Sequence, residues 1–97
     1  GLGGAVADVV GRLLRKLGET RQVLCVTHLP QVAACAHNQW RVAKRTEDGV
    51  TTSGIAVLDA EQRVAETARM LGGLNITDAT RATAREMIEG AQGSREP

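Results

Sequence analysis

Apolar residues recur at three- and four-residue spacing near the start of the chain. Val6, Val9, Val10, Leu13, Leu14 and Leu17 form one stripe, and Arg12, Arg15 and Lys16 take the other side. That period predicts a helix over residues 5–17 that packs through the stripe. The basic residues gather towards its end, where the helix dipole favours cations, and Gly18 supplies a stop. Gly11 costs about 1 kcal/mol against Ala inside a helix, so it predicts close approach of another element. The pattern then changes. Val23-Leu24-Cys25-Val26 is a continuous apolar run, which predicts a strand over residues 22–27 covered on both faces, as in a parallel sheet flanked by helices. His28-Leu29-Pro30 breaks it. Pro30 suits a first helical turn, and a short helix follows to about residue 36, with Val32, Ala33 and Ala36 free to pack.

Alternation over residues 39–45 and 50–58 predicts a β-hairpin, with Thr46-Glu47-Asp48-Gly49 as its turn. Trp40 and Val42 fall on one face, where Ile55 and Val57 are the natural cross-strand partners; Arg41, Ala43 and Arg45 fall on the other. Asp59 with Gln62 has the spacing of a capping box. The helix it opens carries Val64, Ala68 and Leu71 as its stripe and ends at Gly72-Gly73. Thr77 caps a last helix to about Glu89, with Ala84, Met87 and Ile88 facing inward. From Gly90 the chain is polar, and residues 91–97 are expected to form a flexible tail. The predicted order is α-β-α-β-β-α-α, an α/β arrangement in one domain spanning residues 1–97. A lone buried strand cannot satisfy its own edges, so the sheet is expected to be incomplete, with partner strands outside these residues. The chain also begins Gly1-Leu2-Gly3-Gly4 and enters a helical pattern at once, which suggests a portion of something longer.

Composition narrows the function classes. The 97 residues carry a formal net charge of +1, so charge gives no strong reason to bind nucleic acid directly. Trp40 is the sole aromatic residue, which argues against base-stacking modules. No apolar run approaches the roughly 18–20 residues of a membrane span. Cys25 and Cys35 are too few for a disulfide framework; their apolar neighbourhoods read as buried free thiols.

The candidate chemistry centres on His28. It follows Thr27 at the carboxyl end of the expected buried strand, where ligands bind in open α/β sheets. An imidazole there can bond a phosphate or orient a water; it can equally cap the following turn. Cys25, His28, Cys35 and His37 have zinc-ligand chemistry, but their spacing lacks the compact pairs of a structural site, so no metal is expected. Gly1-Leu2-Gly3-Gly4 before a helix could present backbone N–H groups, yet no Gly-Lys-Ser/Thr of a Walker A loop occurs. Arg63, Arg69, Arg81 and Arg85 read as solvated helix faces. A Ser-His-Asp or Cys-His catalytic pair finds no support.

Several strings together carry a resemblance. Gly1-Leu2-Gly3-Gly4-Ala5-Val6-Ala7, then the run from Gln22 through Val26-Thr27-His28-Leu29-Pro30-Gln31-Val32-Ala33-Ala34, then Lys44, Ala68-Arg69-Met70-Leu71-Gly72-Gly73, Ile76-Thr77 and Ala84-Arg85-Glu86-Met87 resemble the C-terminal part of the RecN family of bacterial DNA repair proteins. That family is similar to SMC proteins, with an ABC-type, P-loop ATPase head joined to a coiled coil. The resemblance implies that these residues form the last portion of the head, in a protein that binds and hydrolyses ATP with Mg²⁺ during recombinational repair of DNA double-strand breaks. It implies that Gly1, Leu2, Gly3 and Gly4 follow the Walker B strand as the D-loop region at the nucleotide and dimer interface. It makes His28 the switch histidine near the ATP γ-phosphate, supported by Thr27 and Gln31. The stretch departs from many ABC heads in having no acid before Asp8. Walker A, Walker B and signature motifs are absent, so the 97 residues alone are expected to be inactive and to hold no ATP or Mg²⁺. The implied partners are the remainder of the head, a second head in a homodimer, and DNA through the longer protein, without a membrane; the implied location is the bacterial cytoplasm, at the nucleoid. The contrasting expectation from the residues is a free-standing, non-enzymatic interaction module that pairs through an exposed sheet edge.

Overall fold

The computed structural model describes residues 3–93. Helix α1 spans Gly4–Gly18, α2 Pro30–Ala33, strands β1 Trp40–Glu47 and β2 Val50–Val57, and helices α3 Ala60–Gly72 and α4 Asp78–Gly93. The observed order is therefore α-α-β-β-α-α, with a two-stranded antiparallel sheet among the described residues. The strand expected over residues 22–27 is not formed: the segment is neither helix nor strand. A strand exists only by sharing a hydrogen-bond ladder, and the described residues offer this segment no ladder. Leu24 is 79% exposed and Val26 97%. Cys25 is exposed as well, which corrects its reading as a buried thiol; Cys35 is buried.

The helix boundaries follow local chemistry. In α3 the Asp59 carboxylate accepts from Gln62 N at 2.8 Å, and Asp59 N donates back to Gln62 Oε1 at 2.9 Å, a complete capping box. Gly73, at φ +69°, closes the helix by donating to Arg69 O, a conformation that suits glycine. The entry to α4 repeats the reciprocal logic with two threonines: Thr80 N donates to Thr77 Oγ1 and Thr77 N to Thr80 Oγ1. Helix α4 continues to Gly93, beyond the expected stop at Glu89. Gln92 explains the extra turn, since its side chain donates to Ala36 O and accepts from Arg15. Residues 94–97 of the expected tail lie outside the described residues. Helix α2 is shorter than expected, ending at Ala33.

Packing is a relay in which α1 meets α2, α2 meets α3, and α3 meets α4. Val64, Ala68 and Ala84 form a small core with Ile88 against it. Helix α1 uses only one edge of its apolar stripe. It packs through Ala7 and Gly11 with Val10 and Leu14 half-buried beside them, while Val6, Val9, Leu13 and Leu17 stay exposed. Gly11 accounts for this choice: a Cβ there would lie 2.8 Å from Cys35 Sγ and 3.0 Å from Gln31 O. Only a glycine lets α2 come that close, so contact depth outweighs the larger area of the valine and leucine side.

The hairpin forms as the alternation requires, with β1 running on to Glu47, β2 ending one residue early at Val57, and a two-residue turn. Asp48 (φ 51°) and Gly49 (φ 76°) both occupy the left-handed region, the signature of a type I′ turn that matches strand twist. Trp40 pairs with Val57 and Val42 with Ile55, as the pattern predicted. No residue of either strand is buried. The radius of gyration is 14.5 Å, against about 12.5 Å for a compact chain of this length. The excess reflects a hairpin that packs mainly on itself.

Candidate switch loop and the helix that holds it

His28 lies on an exposed turn between the unpaired segment and α2. Both sides of the turn are anchored. On one side Thr27 Oγ1 accepts from Leu29 N at 3.0 Å, a side-chain turn that fixes the backbone around the histidine. On the other, Pro30 is buried at the first position of α2, and Leu29 O accepts from Val32 N and Ala33 N. The imidazole therefore projects from a constrained backbone onto an open surface.

The other expected site residues divide. Gln31 is half-buried and turns towards α1, so that a Cβ at Gly4 would lie 3.7 Å from its Nε2. Gly3 is the N-cap of α1, with its carbonyl accepting from Ala7 N. Gln31 and Gly4 are thus brought together, whereas His28 comes within 4 Å of a Cβ at neither glycine. Gly1 and Leu2 lie outside the described residues.

No group of three or more His, Cys, Asp and Glu able to hold a cation occurs among the described residues. A cleft of about 230 Å³ between α1, α2 and α4 is lined by Asp8, Arg12, Gln31, Cys35 and Glu86; His28 is not part of it. Burial first, and then the Asp8 carboxylate, push the Cys35 thiol up from its ordinary value. No helix among the described residues is long and apolar enough to cross a membrane.

What holds α2 was not legible from spacing. Arg63 is 8% exposed, not the solvated residue its charge suggested. Its Nη2 donates to Ala33 O (3.0 Å), Ala34 O (3.2 Å) and Ala36 O (2.6 Å), and its Nε to Gln39 Oε1 (3.1 Å). Arg15, from α1, donates to Cys35 O at 2.7 Å. Helices α1, α3 and α4 therefore each send a donor to the carbonyls at and just after the end of α2, where a helix leaves carbonyls to be satisfied from outside and its dipole favours cations. Burial, then the nearby Arg15 cation, lower the Arg63 pKa from its ordinary value; a guanidinium nonetheless stays charged. One signal could have found it: Arg63 and Thr67 sit four apart, beside Val64 and Ala68, on the face that is buried. Arg69 and Arg85 fit the solvated reading, each paired with an exposed or partly exposed carboxylate, Glu66 and Glu61 respectively.

No family model matches the chain. Curated relatives do. The chain is 59% identical over 88 residues to the DNA repair protein RecN of Vibrio cholerae, covering 91% of this chain. It is 53% identical over 92 residues, or 95% of the chain, to that of Xylella fastidiosa. It is 46% identical over 95 residues, or 98%, to that of Streptomyces coelicolor. What these residues build is an α/β segment with an unpaired apolar run leading into a pinned turn. Such identity over nearly all of it shows that the chain belongs to the RecN family. It spans about 16% of the length of the relatives it matches.

Proposed function

We propose that these residues are the C-terminal part of an SMC-like, ABC-type ATPase head acting in DNA repair, and that His28 is its switch histidine. The observation that carries this reading is the pairing of an uncovered apolar run with a constrained turn. Residues 23–26 have the composition of a strand buried on both faces, yet Leu24 and Val26 stand exposed. Exposing that much apolar surface is unfavourable by about 25 cal/mol per Å², so the run calls for neighbours. The relatives are about six times longer than this chain, long enough to supply them. Paired on both edges, the run would become a central strand with His28 at its carboxyl end, where α/β sheets bind ligands.

At that position the imidazole would donate a hydrogen bond to the terminal phosphate of ATP or orient the attacking water, since phosphoryl transfer is mostly positioning and charge stabilisation. The residues that would cradle the remaining phosphates and ligate Mg²⁺ belong to other parts of the longer protein. Gly3 and Gly4, with Gly1 and Leu2 before them, would form the D-loop region against a second head, with Gln31 behind Gly4.

The test is His28→Ala in a full-length RecN carrying this segment. Hydrolysis should fall by about 10²-fold or more, with ATP affinity changed by less than about threefold. An alanine variant with full turnover would remove His28 from the reaction. The exposed hairpin supports a second reading, a non-enzymatic module that pairs through its sheet edge. In that case the 97-residue chain would melt cooperatively as a stable monomer and acquire a partner strand, whereas a head segment with uncovered edges would self-associate.

A further inference from the structure

We infer that Arg63 is a positioning residue for His28, acting through the carboxyl end of α2. The inference rests on the reading of His28 given above and adds to it the part that sets the histidine's place. Helix α2 has four residues, too few to be stable alone, because helix nucleation is costly and short helices gain few bonds. It begins two residues after His28, so any shift of α2 moves the turn that carries the imidazole. The carbonyls of Ala33, the last residue of α2, and of Ala34 and Ala36 just beyond it converge on one guanidinium nitrogen, and Gln39 accepts from the Nε edge of the same fork. Arg15 and Gln92 add single bonds to Cys35 O and Ala36 O. No carboxylate is among the four acceptors of Arg63. A buried guanidinium whose acceptors are three backbone carbonyls and one side-chain amide oxygen ties those carbonyls together, since moving them apart would leave its buried N–H donors without partners.

The geometry also assigns a direction to the coupling. Arg63 comes from α3, which packs on α4 through Val64, Ala68 and Ala84. The α3–α4 pair is thus the frame, α2 the strut, and His28 the group placed by the strut. A lysine could keep the charge but not the fork: one ammonium lacks the planar spread that serves the Ala33–Ala36 carbonyls and Gln39 together.

The test is a double-mutant cycle in the full-length ATPase, with steady-state kcat and KM for ATP measured for Arg63→Met, His28→Ala and the pair. Arg63→Met should lower kcat about tenfold or more while KM stays within about threefold. In the His28→Ala background it should cost little further, because its effect passes through the missing imidazole. Losses that multiply, or an unchanged kcat for Arg63→Met, would overturn the inference. If Arg63→Met does not fold, Arg63→Lys carries the test: its kcat should fall at least threefold at unchanged KM, and an unchanged kcat would overturn it. A fully active His28→Ala would sink the site assignment itself, whereas an inactive His28→Ala beside a fully active Arg63→Met would sink the positioning role alone.

Discussion

The α2 hub and the segment that precedes it are made of similar residues and behave oppositely. Val32, Ala33, Ala34 and Cys35 are all under 9% exposed. Residues 24–26, separated from them by one turn, are exposed. The difference is one of partners. Helices α1 and α3 pack on α2, and together with α4 they bring donors to the carbonyls at and just after its end. Nothing among the described residues brings a ladder to residues 22–27. Burial here follows from which elements the chain itself can fold back, and hydrophobicity alone does not secure it.

The largest effect that would break the contrast is a matched pair of substitutions in the 97-residue chain. Val32→Ser should destabilise it by about 2–4 kcal/mol, through lost burial and an added hydroxyl in an apolar site. Val26→Ser should stay within about 0.5 kcal/mol, as at other exposed positions. Denaturant melts measure both. In the longer protein the two should become comparable, because residue 26 would then lie in a covered strand; a Val26→Ser that remains silent there would count against the proposed sheet.

The cysteines sharpen the same comparison. Towards a thiol reagent at mildly alkaline pH, Cys25 should react at least on the order of tenfold faster than Cys35 in this chain. Cys35 is buried and its thiol is pushed up by burial and Asp8, so it reacts only through local opening. Mass spectrometry of the labelled sites reads the ratio. In the longer protein Cys25 should slow towards Cys35, and a Cys25 that stays equally reactive would leave residues 23–26 uncovered.

The smallest effect concerns how the hairpin is tied to the helices. Glu66, on α3, bonds Arg69 and lies 3.9 Å from Arg41 of β1. The hydrogen bond from Arg69 holds its carboxyl below the ordinary value. A carboxyl lowered on folding contributes stability above its unfolded value, and that contribution is lost as pH falls through the lowered one. Stability should therefore decline on acidification, and Glu66→Gln should flatten that part of the profile. At neutral pH the substitution should cost no more than about 1 kcal/mol, since Arg41 and Arg69 are both exposed. A profile identical to that of the parent chain would mean that folding does not hold the Glu66 carboxylate against Arg69.

Much of the local structure was legible because its causes are local. The Asp59–Gln62 box, the Thr77 cap, Pro30 at the start of α2, Asp48-Gly49 and the Trp40–Val57 face all rest on neighbours within one element or one hairpin. The face used by α1 was not legible. Periodicity ranks faces by apolar area, whereas Gly11 selects the face that α2 can approach. Arg63 was missed because a charged residue reads as solvated unless its acceptors are known, and Ala33, Ala34 and Ala36 lie about thirty residues away in sequence. The candidate site was readable as a motif around His28, but the means of holding it was not.

By itself the amino-acid sequence determined the helices, the hairpin register, the family and the apolar run over residues 23–26, because propensity, capping and alternation act over a few residues. Tertiary structure alone decided which apolar surfaces are covered, that a short helix is pinned by donors from three others, and that residues 22–27 remain without a ladder. Those outcomes depend on groups far apart in the chain meeting within hydrogen-bond or van der Waals reach, a condition that no local pattern encodes.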